Sequence, residues 1–414
     1  MAARRDREVG LLRPAARTAC AAAVCAVSAA RIALATAPVA PRHAPVADRI
    51  HPGFVETVIA DSIDSPVSMA VAPDGRVFVC EQGGRLRVIK GDLLLARPFV
   101  TLPVAVGAEE GLIGVAFDPA FASNHRLYLC YTAAAPTRHN RIERWIAAGD
   151  TARPGSAAAL FECDDNGDHV HVGGALRFGR DGKLYAGTGE NGVGEFSQSL
   201  RSTHGKILRI DSDGHIPADN PFFTIAEGKH RAIWARGLRN AFAIDVEPKS
   251  GRIFINDVGA DAFEEVNEGV AGANYGWPMT EGPTASPRVR APIHSYGHDQ
   301  GCAITGGAFY APPAGTRAAF PAEWRGRYFF EEYCRNEIRW IDPASPARAT
   351  AFGTTLIEGP VDLRVAPDGS LCYLVRGNSD PVGGEHTSRG AVVRVRWHGA
   401  PRAGAGVKQG AATH

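Results

Sequence analysis

Apolar positions recur along the chain in a short phrase that is typical of a β-hairpin. An apolar run ends in a turn rich in Pro, Asp and Gly, and a β-rich run follows, as in VAPDGRVFVCEQGGRLRVI from Val71. Asp-Gly between alternating apolar runs is a strong hairpin signal. Further copies of the phrase begin at Val115, Leu176, Ile244, Trp324 and Leu363. Copies at intervals of several tens of residues indicate a repeat architecture with insertions in its loops.

The repeat predicts how these hairpins assemble. A small antiparallel sheet standing alone would expose its faces and edges, and radial stacking buries the faces and leaves only short edges. We therefore predict an all-β fold, a six-bladed β-propeller of four-stranded antiparallel blades, with a β-sandwich pair as the alternative. Either FVETVIA from Phe54 or GAVVRVRW from Gly390 is expected to close the ring by pairing with the opposite end of the chain.

The first residues have the parts of a secretory signal. Five arginines precede an apolar run from Thr18 to Ala30, and a small-x-small site follows at 33–35. We predict a signal peptide over 1–35, a flexible segment over 36–50, the propeller over 51–398 and a disordered tail over 399–414. A disordered Ala-rich leader is the alternative for the first segment. The expected location is the periplasm or the cell exterior, without stable membrane insertion.

Composition narrows the function classes. The chain has 45 Lys plus Arg and 44 Asp plus Glu, so it lacks the basic excess of a nucleic-acid-binding protein. Three of the cysteines lie inside apolar runs and are predicted to be core residues, namely Cys80, Cys130 and Cys372. For an exported protein we prefer a disulfide between Cys302 and Cys334, although the sequence leaves the connectivity open.

The first candidate segment for chemistry is CDDNGDHVHVGG, from Cys163. If this segment is extended, alternation places the imidazoles of His169 and His171 on one side. A neutral histidine is a suitable general base near pH 7, and Gly173 and Gly174 allow a ligand to approach the backbone closely. The alternative is a pair of hydrogen-bonded loop histidines.

The second candidate segment is AIWARGLRNAFAID, from Ala232. Arg236 and Arg239 lie within an otherwise apolar run, and a buried guanidinium needs an anionic partner. That partner is either an internal carboxylate or the carboxylate of a ligand.

The third candidate segment runs from Ile255 to Pro278 and combines loop carbonyl groups with the carboxylates of Asp257, Glu264 and Glu265. These hard oxygen ligands suit Ca²⁺. A turn-rich connection between blades, with carboxylates that cap its turns, is the alternative.

In this order and spacing, the segments resemble the soluble quinoprotein glucose and aldose sugar dehydrogenases. That family consists of six-bladed propellers that use pyrroloquinoline quinone (PQQ) and Ca²⁺. The most specific pieces are GLIGVAFDP, HVGGALRFGRDGKLYAGTGEN, GKILRID, GLRN and EEVNEGVAGANYGWP, and the similarity spans Val55 to Trp397. The resemblance implies a PQQ- and calcium-dependent oxidoreductase that oxidises aldoses at C1 to lactones. Hydride would pass to PQQ, and electrons to an external acceptor such as a quinone, a cytochrome or a dye.

The resemblance also implies roles for particular residues. His171 matches the family's catalytic base, which takes the proton of the anomeric hydroxyl. Arg239 matches the arginine that polarises the quinone oxygen, and Asn240 and Gly259 are the further residues implied to hold the cofactor. The cofactor's calcium is implied to bind the backbone carbonyls of Gly259 and Ala260. A second calcium is implied at the Glu265 side chain and the Tyr275 carbonyl.

The sequence departs from the family in the blades nearest the carboxyl terminus. In the glucose dehydrogenases of the family, basic residues of these blades hold the carboxylates of PQQ. At 359–362 this chain reads GPVD, so an arginine pair is expected to be missing, and Arg335 and Arg364 are the nearest basic candidates. Three residues that follow Ile293 are further candidates for the pocket wall: His294, His298 and Thr305.

Two other functions remain open at this level. A non-catalytic propeller that binds a carbohydrate or a protein is the first, and the missing arginine pair favours it. A calcium-dependent hydrolase of the lactonase type is the second, for which Asn240 and Asp257 would supply ligands. The partners we expect are a small sugar and an electron acceptor, not nucleic acid, and the chain is expected to be a monomer or a homodimer.

Overall fold

The computed structural model describes residues 49–316, 318–378 and 386–399. The predicted signal peptide, most of the predicted flexible segment and residues 400–414 of the predicted tail lie outside these ranges. Within them, no helix combines the length and the apolar character needed to cross a membrane.

Strands make up nearly all of the regular structure. The first half of the chain contains β1 (Phe54–Ile63), β2 (Pro66–Val71), β3 (Val77–Glu81), β4 (Arg85–Lys90), β5 (Leu93–Leu94), β6 (Val100–Thr101), β7 (Leu112–Phe117), β8 (Arg126–Ala133), β9 (His139–Ala148), β10 (Thr151–Ala152), β11 (Ala158–Asp165), β12 (Leu176–Phe178), β13 (Leu184–Gly187) and β14 (Lys206–Ile210). The second half contains β15 (Ile233–Arg236), β16 (Ala241–Val246), β17 (Ile253–Asp257), β18 (Phe263–Gly269), β19 (His294–Gly297), β20 (Ile304–Phe309), β21 (Tyr328–Glu332), β22 (Glu337–Asp342), β23 (Ser345–Thr354), β24 (Pro360–Val365), β25 (Leu371–Val375) and β26 (Gly390–Trp397). The short helices are α1 (Phe121–Asn124) and the 3₁₀ turns Gly194–Gln198, Gly228–Ala232 and Ala322–Trp324.

The strands form six antiparallel sheets, which confirms the predicted six-bladed propeller. Five blades begin at their inner strand and continue outward along the chain, beginning with β2, β7, β12, β16 and β20. The last blade has the order β1-β26-β25-β24. Its outer strand is the first strand of the chain, so β1 and β26 pair with each other, from Phe54 opposite Trp397 to Ile63 opposite Gly390. Both segments expected to close the ring therefore do so together.

The Asp-Gly turns connect the first two strands of their blades, as the repeat predicts. In the first of them, Val71 faces Val77 across the turn, and the amide of Gly75 donates to the carbonyl of Ala72 at 2.9 Å. Gly75 has a φ of +85°, a conformation that glycine adopts without steric cost. The turn between β24 and β25 repeats this pattern, with Val365 opposite Leu371.

The inner strands β2, β7, β12, β16, β20 and β24 contact one another in a closed ring around the propeller axis. Apolar side chains fill the space between neighbouring blades, for example Phe78 and Leu86 against Leu127 and Leu129. Burial of these faces is the main source of stability in such a fold. The polar groups that face the axis are therefore set on a rigid ring of strands.

The cysteines fall where the sequence places them. Cys302 and Cys334 form the predicted disulfide, and Cys80, Cys130 and Cys372 are buried free thiols. The disulfide joins the residue pair that precedes β20 to the turn that follows β21. It therefore links two segments of one blade next to the propeller axis.

Candidate functional site

A cavity on the propeller axis lies at the amino ends of the inner strands, and we call it the amino-end cavity. It receives residues from every blade, including the segments that precede β12 and β16. Its polar wall consists of Ser68, Glu109, Asn240, Thr305, Asp362, Arg364 and Arg376. Groups that are far apart in sequence thus converge at one end of the channel, which is the usual place for a ligand site in a concave fold.

His171 lies beside this cavity, in the connection from β11 to β12 and two residues before the lining residue Gly173. Its Nδ1 is hydrogen-bonded to the carboxylate of Glu190, a residue that is only 3% exposed. Within the described residues, Nε2 of His171 has no hydrogen-bond partner, and the side chain is 19% exposed. A carboxylate at Nδ1 fixes the tautomer of the ring, so Nε2 is left as the acceptor of a proton.

His169 and His171 do not lie side by side as the extended interpretation requires. Residues 166–175 form no strand, and His171 has a φ of +50°, in the left-handed region. The His169 ring instead binds Glu110, at 2.6 Å from Nδ1 to Oε2, and Arg138, and 51% of its side chain is exposed. The extended backbone that this prediction requires is therefore absent, because His171 adopts a left-handed conformation.

Arg239 and Asn240 are held by one buried carboxylate. Their backbone amides donate to Asp257, at 3.0 Å and 2.7 Å respectively. Burial raises the pKa of Asp257 to about 7, although both amides and the Arg239 charge oppose that rise. The Asn240 side chain accepts from the amide of Gly173 at 3.2 Å and donates to Glu109 at 3.2 Å. Asn240 thus connects three blades at the cavity wall.

Arg239 lines a second, small cavity next to the amino-end cavity, together with Val258 and Trp277. Its Nη1 donates to the carbonyl of Val258 at 3.1 Å, and the guanidinium stacks over Trp277 at 5.7 Å from the ring centroid. The guanidinium of Arg239 is thus outside the wall of the amino-end cavity, whereas the Asn240 side chain is part of that wall.

An arginine pair does lie at the cavity on the last blade, contrary to the expectation from GPVD. Arg364 is on β24, and Arg376, which directly follows β25, is 3% exposed and donates from Nη2 to Gln82 at 2.7 Å. Arg335 is outside the cavity wall, with its guanidinium bound to the carbonyl of Asp299. The sequence analysis did not identify Arg376, because β25 separates it in sequence from β24. Its position directly after a buried strand could have indicated a residue at the cavity.

The backbone at Gly259 and Ala260 forms a tight loop around carboxylates. The amide of Gly259 donates to Glu264 at 3.2 Å, and the amide of Ala260 donates to Glu281 at 2.6 Å. Within the described part of the chain, neither carbonyl accepts a hydrogen bond. Two unpaired carbonyl oxygens in one loop are suitable ligands for a hard cation.

Glu265 and Tyr275 lie at the second, small cavity together with Gly259, Asp257 and Arg239. Burial, and then the nearby Asp257, raises the pKa of Glu265 to about 8, against the hydrogen bonds that it accepts. Three of the four predicted calcium ligands therefore share one cavity, and Ala260 is outside its wall. Carboxylates whose charge is disfavoured by burial and by each other fit a bound cation, which would supply the missing countercharge.

A compact cluster of three metal-binding side chains occurs once among the described residues, and it is not at this cavity. It consists of Cys302, Glu332 and Cys334. The disulfide occupies both thiols, and Glu332 accepts the amides of Cys302, at 2.6 Å, and Arg335, at 2.6 Å. The cluster is therefore a turn held by a disulfide and a carboxylate.

Of the three further wall candidates, only Thr305 lines the amino-end cavity. Its hydroxyl donates to the carbonyl of Pro360 at 2.8 Å. His298 instead contacts Glu264, at 2.9 Å from Nε2, and His294 is buried between β18 and β23. The sequence could not show which of these three side chains lines the cavity, because that depends on how each strand is placed in its blade.

Comparison with known proteins gives a consistent result. A family model described as glucose/sorbosone dehydrogenase matches residues 63–381. The aldose sugar dehydrogenase of Escherichia coli K12 is 29% identical over 241 residues, which is 54% of this chain and 61% of that protein. The solved PQQ-bound aldose sugar dehydrogenase of Streptomyces coelicolor is 27% identical, with a TM-score of 0.67 over 85% of this chain and 100% of that chain.

The similarity also reaches a protein named for binding rather than for catalysis. The human hedgehog-interacting protein is 26% identical over 230 residues, which is 48% of this chain and 33% of that protein. The alignments with the E. coli and human proteins therefore span less than two thirds of either curated relative.

Proposed function

The chain belongs to the glucose/sorbosone dehydrogenase family, and on that premise we propose that it is a PQQ- and calcium-dependent oxidoreductase that oxidises aldose sugars at C1 to lactones. Electrons would pass to an external acceptor, in the periplasm or outside the cell. The observation that supports this most is the amino-end cavity, where two arginines and Asn240 line a wall beside a histidine–carboxylate pair.

The donor set fits an anionic, planar cofactor. PQQ carries three carboxylates, and guanidinium groups bind carboxylates through charge-assisted, often bidentate hydrogen bonds. Arg376 is proposed to hold these carboxylates, with Arg364 adding positive charge to the same wall and Asn240 as a neutral hydrogen-bonding partner. When bound, PQQ supplies the redox chemistry by accepting the hydride that leaves C1 of the sugar.

The residues of the chain supply proton transfer and electrostatics. His171 is proposed to accept the proton of the anomeric hydroxyl at Nε2, because Glu190 occupies Nδ1 and stabilises the imidazolium that forms. Arg239 is proposed to stabilise negative charge on the reduced cofactor. Gly259 and Ala260 would hold the cofactor's calcium through their carbonyls, and Glu265 and Tyr275 would hold a second calcium.

A non-catalytic binding propeller is the second candidate, and one observation favours it. The carboxylates of Glu109 and Asp362 also line the amino-end cavity, where they would repel an anionic cofactor. The chain is also similar to the human hedgehog-interacting protein, whose name refers to the binding of a partner.

One titration separates the two candidates. The purified chain is titrated with PQQ in the presence of Ca²⁺ while the cofactor absorbance is followed, and a panel of aldoses is then added. We expect saturable binding, loss of that binding on chelation of calcium, and bleaching of the bound cofactor by at least one aldose. Binding without bleaching by any aldose of the panel would keep the cofactor and point to other alcohols as substrates, and an absence of PQQ binding would favour the binding propeller.

A further inference from the structure

A second axial cavity lies at the carboxyl ends of the inner strands, and we call it the carboxyl-end cavity. Every inner strand contributes to it, through residues such as Phe117, Arg177, Asp245, Phe309 and Arg364. Arg364 lines both axial cavities and therefore lies between them. The proposed sugar chemistry uses the amino-end cavity alone, so this second cavity has no role in it.

The floor of the carboxyl-end cavity has more hydrogen-bond donors than acceptors. Arg177 donates from Nε to Asp245 at 2.8 Å, and within the described residues neither of its terminal nitrogens donates a hydrogen bond. Arg364 uses Nε and Nη1 for backbone carbonyls and Asp362, and its Nη2 is likewise without a partner there. Each terminal guanidinium nitrogen carries two N–H donors, so the floor offers several of them.

The two carboxylates near these arginines already accept hydrogen bonds from other groups. Asp245 accepts from Arg177 with one oxygen and from the amide of Phe309, at 2.7 Å, with the other. Asp362 accepts from Arg364 and from the amides of Met69 and Leu363. Both carboxylates are already bound at both oxygens. With two arginines and two aspartates the floor carries no net charge, and its unused hydrogen-bonding capacity lies on the terminal nitrogens of Arg177 and Arg364.

The walls above this floor are apolar. Phe117, Val246 and Phe309 line the cavity, and Pro248, Pro312 and Pro367 surround its opening. Prolines have no backbone N–H, so this rim offers few donors to a polar ligand. A ligand that suits both parts has one anionic group at the floor and an apolar body between the walls.

From these features we propose that the carboxyl-end cavity binds a small monocarboxylate with an apolar body, such as an aromatic acid. Its carboxylate lies between the terminal nitrogens of Arg177 and Arg364, and its ring contacts the side chains of Phe117 and Phe309. The carboxylate accepts from terminal N–H groups that no described residue accepts, and these charge-assisted hydrogen bonds offset its repulsion from Asp245 and Asp362.

Benzoate is the probe for this proposal, and calorimetry on the full chain is the measurement. Benzoate is expected to bind, whereas benzyl alcohol, which keeps the ring without the charge, and acetate, which keeps the charge without the ring, bind at least about tenfold more weakly. Equal binding of acetate and benzoate, or no benzoate binding at all, would overturn the proposal.

Substitutions locate the site. Arg177→Met is expected to weaken benzoate binding by at least about tenfold, and Ala311→Trp, which fills the cavity mouth without removing charge, is expected to block it. Arg180→Met is the matched control on the exposed surface and should leave benzoate affinity unchanged. The thermal transition of each variant is recorded, so that loss of fold is not read as loss of binding.

Arg376→Met distinguishes the two axial cavities, because Arg376 lines only the amino-end cavity. Benzoate affinity should survive that substitution. If Arg376→Met abolishes binding while Arg177→Met and Ala311→Trp do not, benzoate occupies the amino-end cavity and the proposal fails.

Discussion

The two ends of the axial channel are built on the same six strands and differ in their connections. At the carboxyl ends, the chain turns back within a blade, through five residues at the Asp-Gly turns between β2 and β3 (72–76) and between β24 and β25 (366–370), and through a longer connection between β20 and β21 (310–327). At the amino ends it must cross between blades or return inside one, and the connections lengthen to 166–175 and 188–205. His171 and Glu190 lie in these two long connections.

This difference shows why chemistry collects at one end of a symmetric scaffold. Short Asp-Gly turns have little freedom to present side chains toward the axis, whereas long loops on a rigid ring can. At the carboxyl-end cavity, the charged groups come from the strands, as Arg177 and Asp245 do. The amino-end cavity combines strand residues with loop residues such as Glu109 and Asn240, and the His171–Glu190 pair lies beside it.

The largest effect that we expect is a loss of sugar oxidation on substitution of a residue at the amino ends of the inner strands. His171→Ala removes the proposed base, and we expect sugar oxidation by the PQQ-loaded protein to lose about 10²–10⁴-fold in kcat. Steady-state kinetics with an aldose and a dye acceptor measure it. His169→Ala, at the same end but bound to Glu110, should retain nearly full activity. If His169→Ala lost activity and His171→Ala did not, His169 would be the base, and the hydrogen bond from His171 to Glu190 would have no role in sugar oxidation.

A smaller effect concerns how the amino-end cavity holds its cofactor. Arg376→Met removes one guanidinium, and the loss of a charge-assisted hydrogen bond of about 1.5–3 kcal/mol should weaken PQQ binding by about 10- to 100-fold. Absorbance titration in the presence of Ca²⁺ measures the Kd. Arg335→Met is the control, because Arg335 binds the carbonyl of Asp299 away from the cavity. Weaker binding in Arg335→Met alone would contradict the assignment.

These residues also show how far sequence reasoning reaches. The Asp-Gly hairpins are local signals, so the blades, their number and the paired chain ends are predictable from the pattern. The family motifs locate His171, Arg239 and Asn240, and their roles stay predictions. Glu190 and Arg376 were missed because their neighbours in space come from other loops or blades. The extended interpretation of His169 and His171 was wrong because a left-handed backbone at His171 is not visible in an alternating pattern.

The smallest effect that we expect concerns the melting temperature at acidic pH, which we compare for one carboxylate at each end of the axial channel. At the amino ends, Asp164 joins β11 to the 188–205 connection by accepting the amide of Thr203 at 2.8 Å and by pairing with Lys229 and His230. Burial alone would raise the pKa of Asp164, but these partners lower it to about 2. At the carboxyl ends, Asp74 pairs with Arg76 on the surface, and its pKa is also lowered.

A carboxylate whose pKa is lower in the folded state contributes stability above its unfolded pKa of about 3.9 and loses it as the pH falls toward the folded value. Asp164→Asn should therefore lower the melting temperature by several degrees at pH 6, and this deficit should shrink between pH 4 and pH 2. Asp74→Asn, whose side chain is 51% exposed, should change the melting temperature far less at either pH. Thermal unfolding followed by circular dichroism across that range measures both variants. A deficit of Asp164→Asn that stays constant down to pH 2 would mean that Asp164 holds the long connection by packing and not by its charge.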